Sequence, residues 1–230
     1  MKALINKFFI FHFLVTILLS CSSVPKEYII NDDICHYSNP IFKITKEEIT
    51  FDIKKYEKQL GKGDLVLVNN EKFKNRFHIY SSGTIGNIQT NKDLVISKNL
   101  GYYSNGKIQY SNFEYINGYT KIGKETDYDL QGSITKVLDY EKGYKICWAE
   151  AIEIVKEIAK KDIRKYEIKE FYLSRNDLNE FPDVKPLWEV GLMNGNEKFF
   201  KQKVKKGNIR YVIDGITGKL IKTYRIRISH

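Results

Sequence analysis

The chain has 230 residues, a formal net charge of +10, 42% hydrophobic residues and 13% aromatic ones. That apolar share excludes a globally disordered chain, and the length allows one large domain or two small ones. With no run of five or six like charges to mark a basic arm, the positive balance reads as a lysine-rich solvated surface or as complementarity to an acidic partner, with nucleic acid excluded if the chain is exported.

The first element carries the export signal. Lys2 and Lys7 are the only charges in the first twenty positions. They precede an apolar run from Phe8 to Leu19 that stops at Ser20-Cys21-Ser22-Ser23. A positive n-region, a short apolar h-region and a small residue before the cut describe a secretory signal peptide over residues 1–20. A run of about a dozen residues falls short of the roughly 20 that span a bilayer. The stretch Leu18-Leu19-Ser20-Cys21 resembles the lipobox of bacterial lipoproteins, with Leu19 a less usual choice at its middle position. The resemblance implies lipidation of Cys21, cleavage before it and acylation of the new amine, since two or more acyl chains anchor a protein stably where one does not. It implies a place in the cell envelope, lipid-anchored, with the domains in the periplasm or at the cell surface. Ser22 in place of a retaining aspartate points to the outer membrane rather than the inner.

Removing the signal leaves 36 Lys and Arg against 28 Asp and Glu, a charge of +8. It also leaves two cysteines, Cys35 and Cys147. In an oxidising compartment such a pair can close a disulfide, or stand as two buried thiols.

Residues 21–40, with Ser, Pro, Asn and Asp and little periodicity, read as a lipidated tether. Thr45-Lys46-Glu47-Glu48 is a capping-box pattern. Ile49, Ile53, Tyr56 and Leu60 follow at helical spacing, with Gly61 as a stop, so a helix is expected over 45–60, although Ile49 to Ile53 also alternates as a strand would. Leu65-Val66-Leu67-Val68 is a short strand closed by Asn69-Asn70.

The middle of the chain repeats itself. Tyr80-Ser81-Ser82-Gly83-Thr84-Ile85 is echoed by Tyr103-Ser104-Asn105-Gly106-Lys107-Ile108, and again, with one residue inserted, by Tyr128-Asp129-Leu130-Gln131-Gly132-Ser133-Ile134. The second and third copies share a tail, Phe113 to Tyr119 matching Leu138 to Tyr144. Each unit reads as strand, Gly turn, strand, Gly turn, and the Asn-Gly pairs suit tight hairpins. Units of this length must stack on their neighbours to bury an apolar face. The pattern resembles the MORN-type repeats of bacterial antitoxin-like proteins, which implies an elongated antiparallel sheet of consecutive hairpins over about residues 77–144. The repeat region with its preceding helix forms an expected unit, 41–144.

Residues 145–230 form the second expected unit. Trp148 to Lys161 is an amphipathic helix with Ile152, Val155, Ile158 and Ala159 on one face; its acidic residues come early and its lysines late, and Glu157 and Lys161 form a favourable pair. Strands are expected at Ile168–Leu173, Leu187–Met193, Lys198–Val204, Ile209–Asp214 and Leu220–Ile228, with Asn194-Gly195 a hairpin turn between the second and third. One helix on an antiparallel sheet is an α+β arrangement. The helix, Pro186-Leu187-Trp188-Glu189-Val190 and Tyr211-Val212-Ile213-Asp214-Gly215-Ile216-Thr217-Gly218-Lys219-Leu220 together resemble a PepSY-type domain. Members of that family are small exported domains, some of them peptidase inhibitors. A rival resemblance, resting on a helix, a Trp-x-Val strand and a final Asp-Gly hairpin, is to the nuclear-transport-factor-like cone of toxin-immunity proteins.

Little points to catalysis. There is no Gly-x-Ser-x-Gly elbow, no phosphate-cradling glycine loop and no His-Glu-x-x-His helix. The mature chain has only His36, His78 and His230, and Cys35-His36 alone cannot complete a tetrahedral metal site. No enzyme, cofactor or metal is expected. Tyr102, Tyr103, Tyr110, Tyr115, Tyr119 and Tyr128 lie on the repeat strands and form either a candidate binding surface or the core of the repeats. The leading expectation is a non-enzymatic, membrane-anchored lipoprotein that binds another protein in the envelope, as an inhibitor or immunity factor does. The alternative is a structural or polysaccharide-capturing surface lipoprotein.

Overall fold

The computed structural model describes residues 32–60, 64–80 and 82–226. The signal segment, Cys21, Gly61, Ile228 and His230 lie outside them. Along the chain run α1(Asp32–Cys35), a 3-10 turn (Pro40–Phe42), α2(Lys46–Ile49) and α3(Ile53–Leu60). Seven strands follow: β1(Leu65–Asn69), β2(Phe73–Ile79), β3(Ile85–Asn91), β4(Ile96–Tyr102), β5(Ile108–Tyr115), β6(Thr120–Tyr128) and β7(Ile134–Asp139). The remainder is α4(Trp148–Ile158), α5(Lys160–Tyr166), β8(Glu170–Arg175), β9(Leu187–Met193), α6(Glu197–Lys206), β10(Asn208–Asp214) and β11(Leu220–Ile226). The strands make two antiparallel sheets, one of seven in the order β1-β2-β3-β4-β5-β6-β7 and one of four in the order β11-β10-β9-β8. The content is mixed α and β.

The repeats are structurally equivalent hairpin turns at one end of the larger sheet. In the first, Tyr80 N–H bonds Thr84 O and Gly83 N–H bonds Tyr80 O, both at 2.9 Å. Tyr103, Gly106 and Lys107 repeat that pair of bonds at the same distances, and so do Asp129, Gly132 and Ser133. The three glycines have φ of 82°, 82° and 90°, the left-handed region that a Cβ disfavours. The third copy therefore has no insertion: Asp129, not Tyr128, stands where Tyr80 and Tyr103 stand. Its carboxylate accepts from Gln131 N and Ser133 N at 2.9 and 2.8 Å, the self-bonding that makes Asp a turn residue.

The helix expected over 45–60 is two helices. Between α2 and α3, Phe51 N–H donates to Gly106 O at 2.7 Å and Thr50 makes an isolated bridge to Lys107. The alternation at 49–53 thus reports a real extended segment that interrupts the helical period. Residues 32–42, within the expected tether, pack into the folded unit, with Cys35 2% and Ile41 5% exposed.

Two apolar clusters lie on one face of the seven-stranded sheet. Phe51, Leu60, Phe77, Leu100, Tyr102 and Ile108 form one, under α3. Ile96, Phe113, Tyr115 and Ile122 join Trp148, Ile152, Leu173 and Trp188 in the other, so the larger sheet and the C-terminal elements share a core. A polar belt separates the clusters. Lys98, only 3% exposed at its side chain, is 2.5 Å from Glu48 and donates to Lys43 O at 3.0 Å. Glu48 also takes Gln89 Nε2 and, through its other oxygen, Thr45 N–H. One carboxylate therefore caps α2 and neutralises a buried lysine, which is how a buried charge becomes tolerable.

In the C-terminal part, the helix expected from Trp148 to Lys161 ends at Ile158 and restarts at Lys160. Nothing in the residue types explains the break, since Ala159 is the best of helix formers. The expected Glu157–Lys161 pair gives way to Glu157–Lys160 at 3.2 Å. The strand expected at Lys198–Val204 is the helix α6, and Asn194-Gly195 is accordingly no strand-to-strand hairpin. Three features outweigh the short apolar pattern there: Asn196 caps the helix by accepting Phe199 N–H at 3.2 Å, the segment is rich in Glu, Lys and Gln, and Phe199, 2% exposed, packs on Tyr166 with centroids 5.9 Å apart. Gly207, at φ 85°, ends it. The string from Tyr211 to Leu220 closes the β10–β11 hairpin: Asp214 Oδ1 accepts Ile216 N and Thr217 N at 2.9 Å, and Lys185 lies 2.9 Å from Oδ2. Those donors hold the Asp214 carboxyl below its ordinary value.

Candidate binding face

The elements packed on the seven-stranded sheet meet one of its faces. Cross-strand register lays out what occupies the other. One row reads His78, Gly86, Gly101, Tyr110, Asp127, Lys136 across β2 to β7. The next reads Arg76, Ile88, Asn99, Asn112, and the third Lys74, Thr90, Ser97, Glu114, Lys121.

The two glycines in the first row are there because rings lie on them. A Cβ on Gly101 would stand 2.1 Å from Tyr110 Cε1 and within 2.7 Å of two more ring atoms. On Gly86 it would meet Tyr80 Cε2 at 2.6 Å and His78 Cε1 at 2.7 Å. Nonbonded carbons settle at about 3.5–4.0 Å, so only glycine lets these rings rest on the sheet. His78 and Tyr80 meet edge-on with centroids 4.0 Å apart. Burial, and then the neighbouring Tyr80 hydroxyl, raise the Tyr110 phenol above its usual range. Burial, and then Arg76, lower His78, which favours the neutral imidazole.

The second and third rows are hydrogen-bonding groups. Asn99 Nδ2 donates to Asn112 Oδ1 at 3.0 Å and to Glu114 at 3.3 Å. Charges pair off: Lys121 lies 3.3 Å from Glu114 and 3.6 Å from Glu125, and Arg76 lies 3.0 Å from Asp64.

The six tyrosines expected as one surface are divided by the pleat. Tyr102 and Tyr115 are 2% and 3% exposed on the packed face, and Tyr128 packs beside Tyr102's cluster. Tyr103 sits at its turn, donating to Tyr128 O at 2.7 Å. Tyr119, 80% exposed at φ 53°, is at the opposite end of the sheet. Only Tyr110 lies on the open face, where Tyr80 and His78 join it. Sequence reasoning passed over those two; the usable signal was Gly86 and Gly101 inside strand patterns, where a glycine marks close approach of other groups.

The sheet edges differ. At β8, Leu173 N–H donates to Asn117 O at 2.8 Å, while Thr120 Oγ and Tyr115 hydroxyl bond Leu173 O and Phe171 O. A Cβ on Gly118 would stand 1.9 Å from Leu173 O, so the β5–β6 turn can close that edge only with glycine there. β1 is bulged between Val66 and Val68. β7 and β11 pair on one side alone, with Leu130, Ile134 and Val137 exposed at the first and Leu220, Ile221 and Ile226 at the second. Asn179 Nδ2 ties a loop carrying exposed Phe181 and Val184 to Asp139 O beside β7.

Cys35 and Cys147 are joined in a disulfide, with Cα atoms 6.0 Å apart across 112 residues. Glu150 is close to both sulfurs, but a disulfide offers no thiolate to a metal, and Glu150 is occupied in accepting Cys147 N–H at 2.9 Å as a helix cap. A second junction centres on Arg175, whose guanidinium packs on Tyr140, Tyr144 and Trp188 at 5.2, 5.1 and 5.3 Å. It lies 3.4 Å from Glu141, which also accepts Gly123 N–H at 2.9 Å. Burial raises Glu141, with Arg175 opposing, and burial and Glu141 raise Tyr37. Between the sheets, a cleft of about 220 Å³ is lined by His36, Val95, Trp148, Lys156 and Phe171 among others.

Among the described residues no helix is long and apolar enough to cross a membrane. No family model, curated protein or solved structure matches the chain.

Proposed function

We propose that this chain is a lipid-anchored, non-enzymatic lipoprotein of the cell envelope that grips another protein, as an inhibitor or immunity factor does. Cys21 is its lipidation site, the repeat sheet is MORN-like and the C-terminal part PepSY-like. One observation supports the gripping role most. The free edge strand β7 keeps unpaired backbone groups beside exposed Leu130, Ile134 and Val137. Such edges are normally blunted with charge, proline or a covering element, because they recruit other strands. Here β8 is capped and β1 bulged; of the two free edges, β7 carries Lys136 and Asp139 and β11 carries Lys222 and Arg225, and the apolar side chains at β7 are the more exposed, 49–62% against 38–46%. A partner's extended segment would add as an eighth strand, with backbone pairing for affinity and apolar contacts for selectivity.

The test is retention of envelope or neighbouring effector proteins by the full chain in detergent, compared with Val137→Lys and Leu220→Lys variants. The expected result is a discrete partner lost on Val137→Lys and kept on Leu220→Lys. A chain that retains nothing, or whose partner ignores Val137→Lys, contradicts the reading. The alternative is a structural or polysaccharide-capturing surface lipoprotein.

A further inference from the structure

The cleft between the two sheets holds features that the gripping edge does not use. We propose that it binds a small apolar α-amino acid in its zwitterionic form. The inference goes beyond the gripping role at β7 and does not depend on it.

Three observations carry it. First, the floor of the cleft holds an unanswered donor. Trp148 is 4% exposed, and its buried Nε1–H has no hydrogen-bond partner among the described residues. The other indole, Trp188, donates to Ile146 O at 2.7 Å. A buried donor ordinarily finds an acceptor in the folded chain, so this one is placed for an acceptor that a ligand brings.

Second, the wall is held in a strained backbone. Val95, at φ 59°, and His36, at φ 60°, both line the cleft. A left-handed φ is a genuine outlier for a β-branched residue. Glycine takes it readily, but glycine would remove the side chain that forms the wall. Strain of this kind gathers at ligand clamps. The disulfide fixes the same corner, since His36 and Trp148 directly follow Cys35 and Cys147.

Third, the rim carries one open charge of each sign. Asp93, in the β3–β4 turn, and Lys169, just before β8, are exposed and make no ion pair among the described residues. The other charges there are engaged: Lys156 lies 2.6 Å from Glu153, and Glu170 accepts from Asn117 Nδ2 at 3.1 Å. An ammonium for Asp93 and a carboxylate for Lys169 and the Trp148 N–H are the two ends of an α-amino acid. Buried Ile152 and Phe171 supply an apolar lining for its side chain. The cleft is about 220 Å³, below the roughly 300–1,000 Å³ of sites for larger ligands, which suits an occupant the size of one residue.

The test is calorimetric titration of the full chain in detergent with L-leucine and L-phenylalanine. Two analogues accompany them: N-acetyl-L-leucine, which lacks the ammonium, and isopentylamine, which lacks the carboxylate. Asp93→Asn and Lys169→Met, both at exposed positions, are titrated alongside, with thermal melts to establish that they fold. Indole emission is followed throughout, since Trp148 lines the cleft. We expect saturable binding of at least one of the two amino acids, with a shift in that emission. Both analogues on the unaltered chain, and the amino acid on either variant, should bind about tenfold more weakly, the scale of one hydrogen bond to a charged group. Failure of both amino acids to bind, binding that leaves the emission unchanged, an analogue that binds as tightly as leucine, or unaltered affinity in a folded Asp93→Asn or Lys169→Met variant overturns the proposal.

Discussion

At the scale of single residues, the most telling side chains are those whose charge is buried and paired. Arg175 is 4% exposed at its side chain and Glu141 12%. Three rings surround the guanidinium, so it is held by packing as much as by charge. Removing one partner of such a pair leaves the other unpaired in a poor solvent for it. Arg175→Met should therefore cost about 3–5 kcal/mol near neutral pH. The sign of the pH dependence follows from Glu141, whose carboxyl burial raises. A raised acid favours folding below its unfolded pKa, and that contribution is lost as pH rises through the folded value. Without Arg175 the rise is larger, so the penalty of Arg175→Met should shrink as pH falls through the carboxylate range. Urea titrations of both proteins at several pH values measure this; a penalty independent of pH contradicts the assignment. Lys98 with Glu48 is built on the same logic in the polar belt.

At the scale of elements, much was legible and the exceptions have causes. The hairpin repeats were readable because Gly83, Gly106 and Gly132 each need a left-handed φ that few other residues adopt. The third copy was misaligned by one position because Tyr128 looks like its counterparts, whereas Asp129 bonds like them. The 45–60 helix hid a break because Thr50-Phe51-Asp52 takes its extended form from Gly106 and Lys107, more than fifty residues away. The short apolar run at Lys198–Val204 fits a strand as well as a helix, and Asn196 is the residue that decides for α6. Its side chain serves as the cap, so Asn196→Ala should cost about 1 kcal/mol. Thermal melts check that figure, and an unchanged midpoint would mean α6 does not need its cap. The open-face cluster was least legible, since Tyr80, His78, Gly86, Gly101 and Tyr110 meet only once β2 to β5 are in register.

At the scale of the whole molecule, the two sheets are not separate modules on a string. Tyr115 and Phe113 share a core with Trp148 and Trp188, the β5–β6 turn closes the β8 edge, and the disulfide ties residues near the N-terminal tether to the first turn of α4. A cross-link over so long a loop restricts the unfolded chain strongly, by about 5 kcal/mol in the chain-entropy account. Among the described residues, the folded unit leaves open the polar face of the larger sheet and the free edges of β7 and β11, with the more exposed apolar side chains at β7. Gripping at the β7 edge is tested in the cell by photo-crosslinking. A benzophenone side chain placed at Val137, and for comparison at Lys160 on the solvent side of α5, would report what lies beside each. One discrete heavier adduct is expected from Val137 and none from Lys160; no adduct from Val137, or the same adduct from both positions, would mean that β7 does not hold a partner.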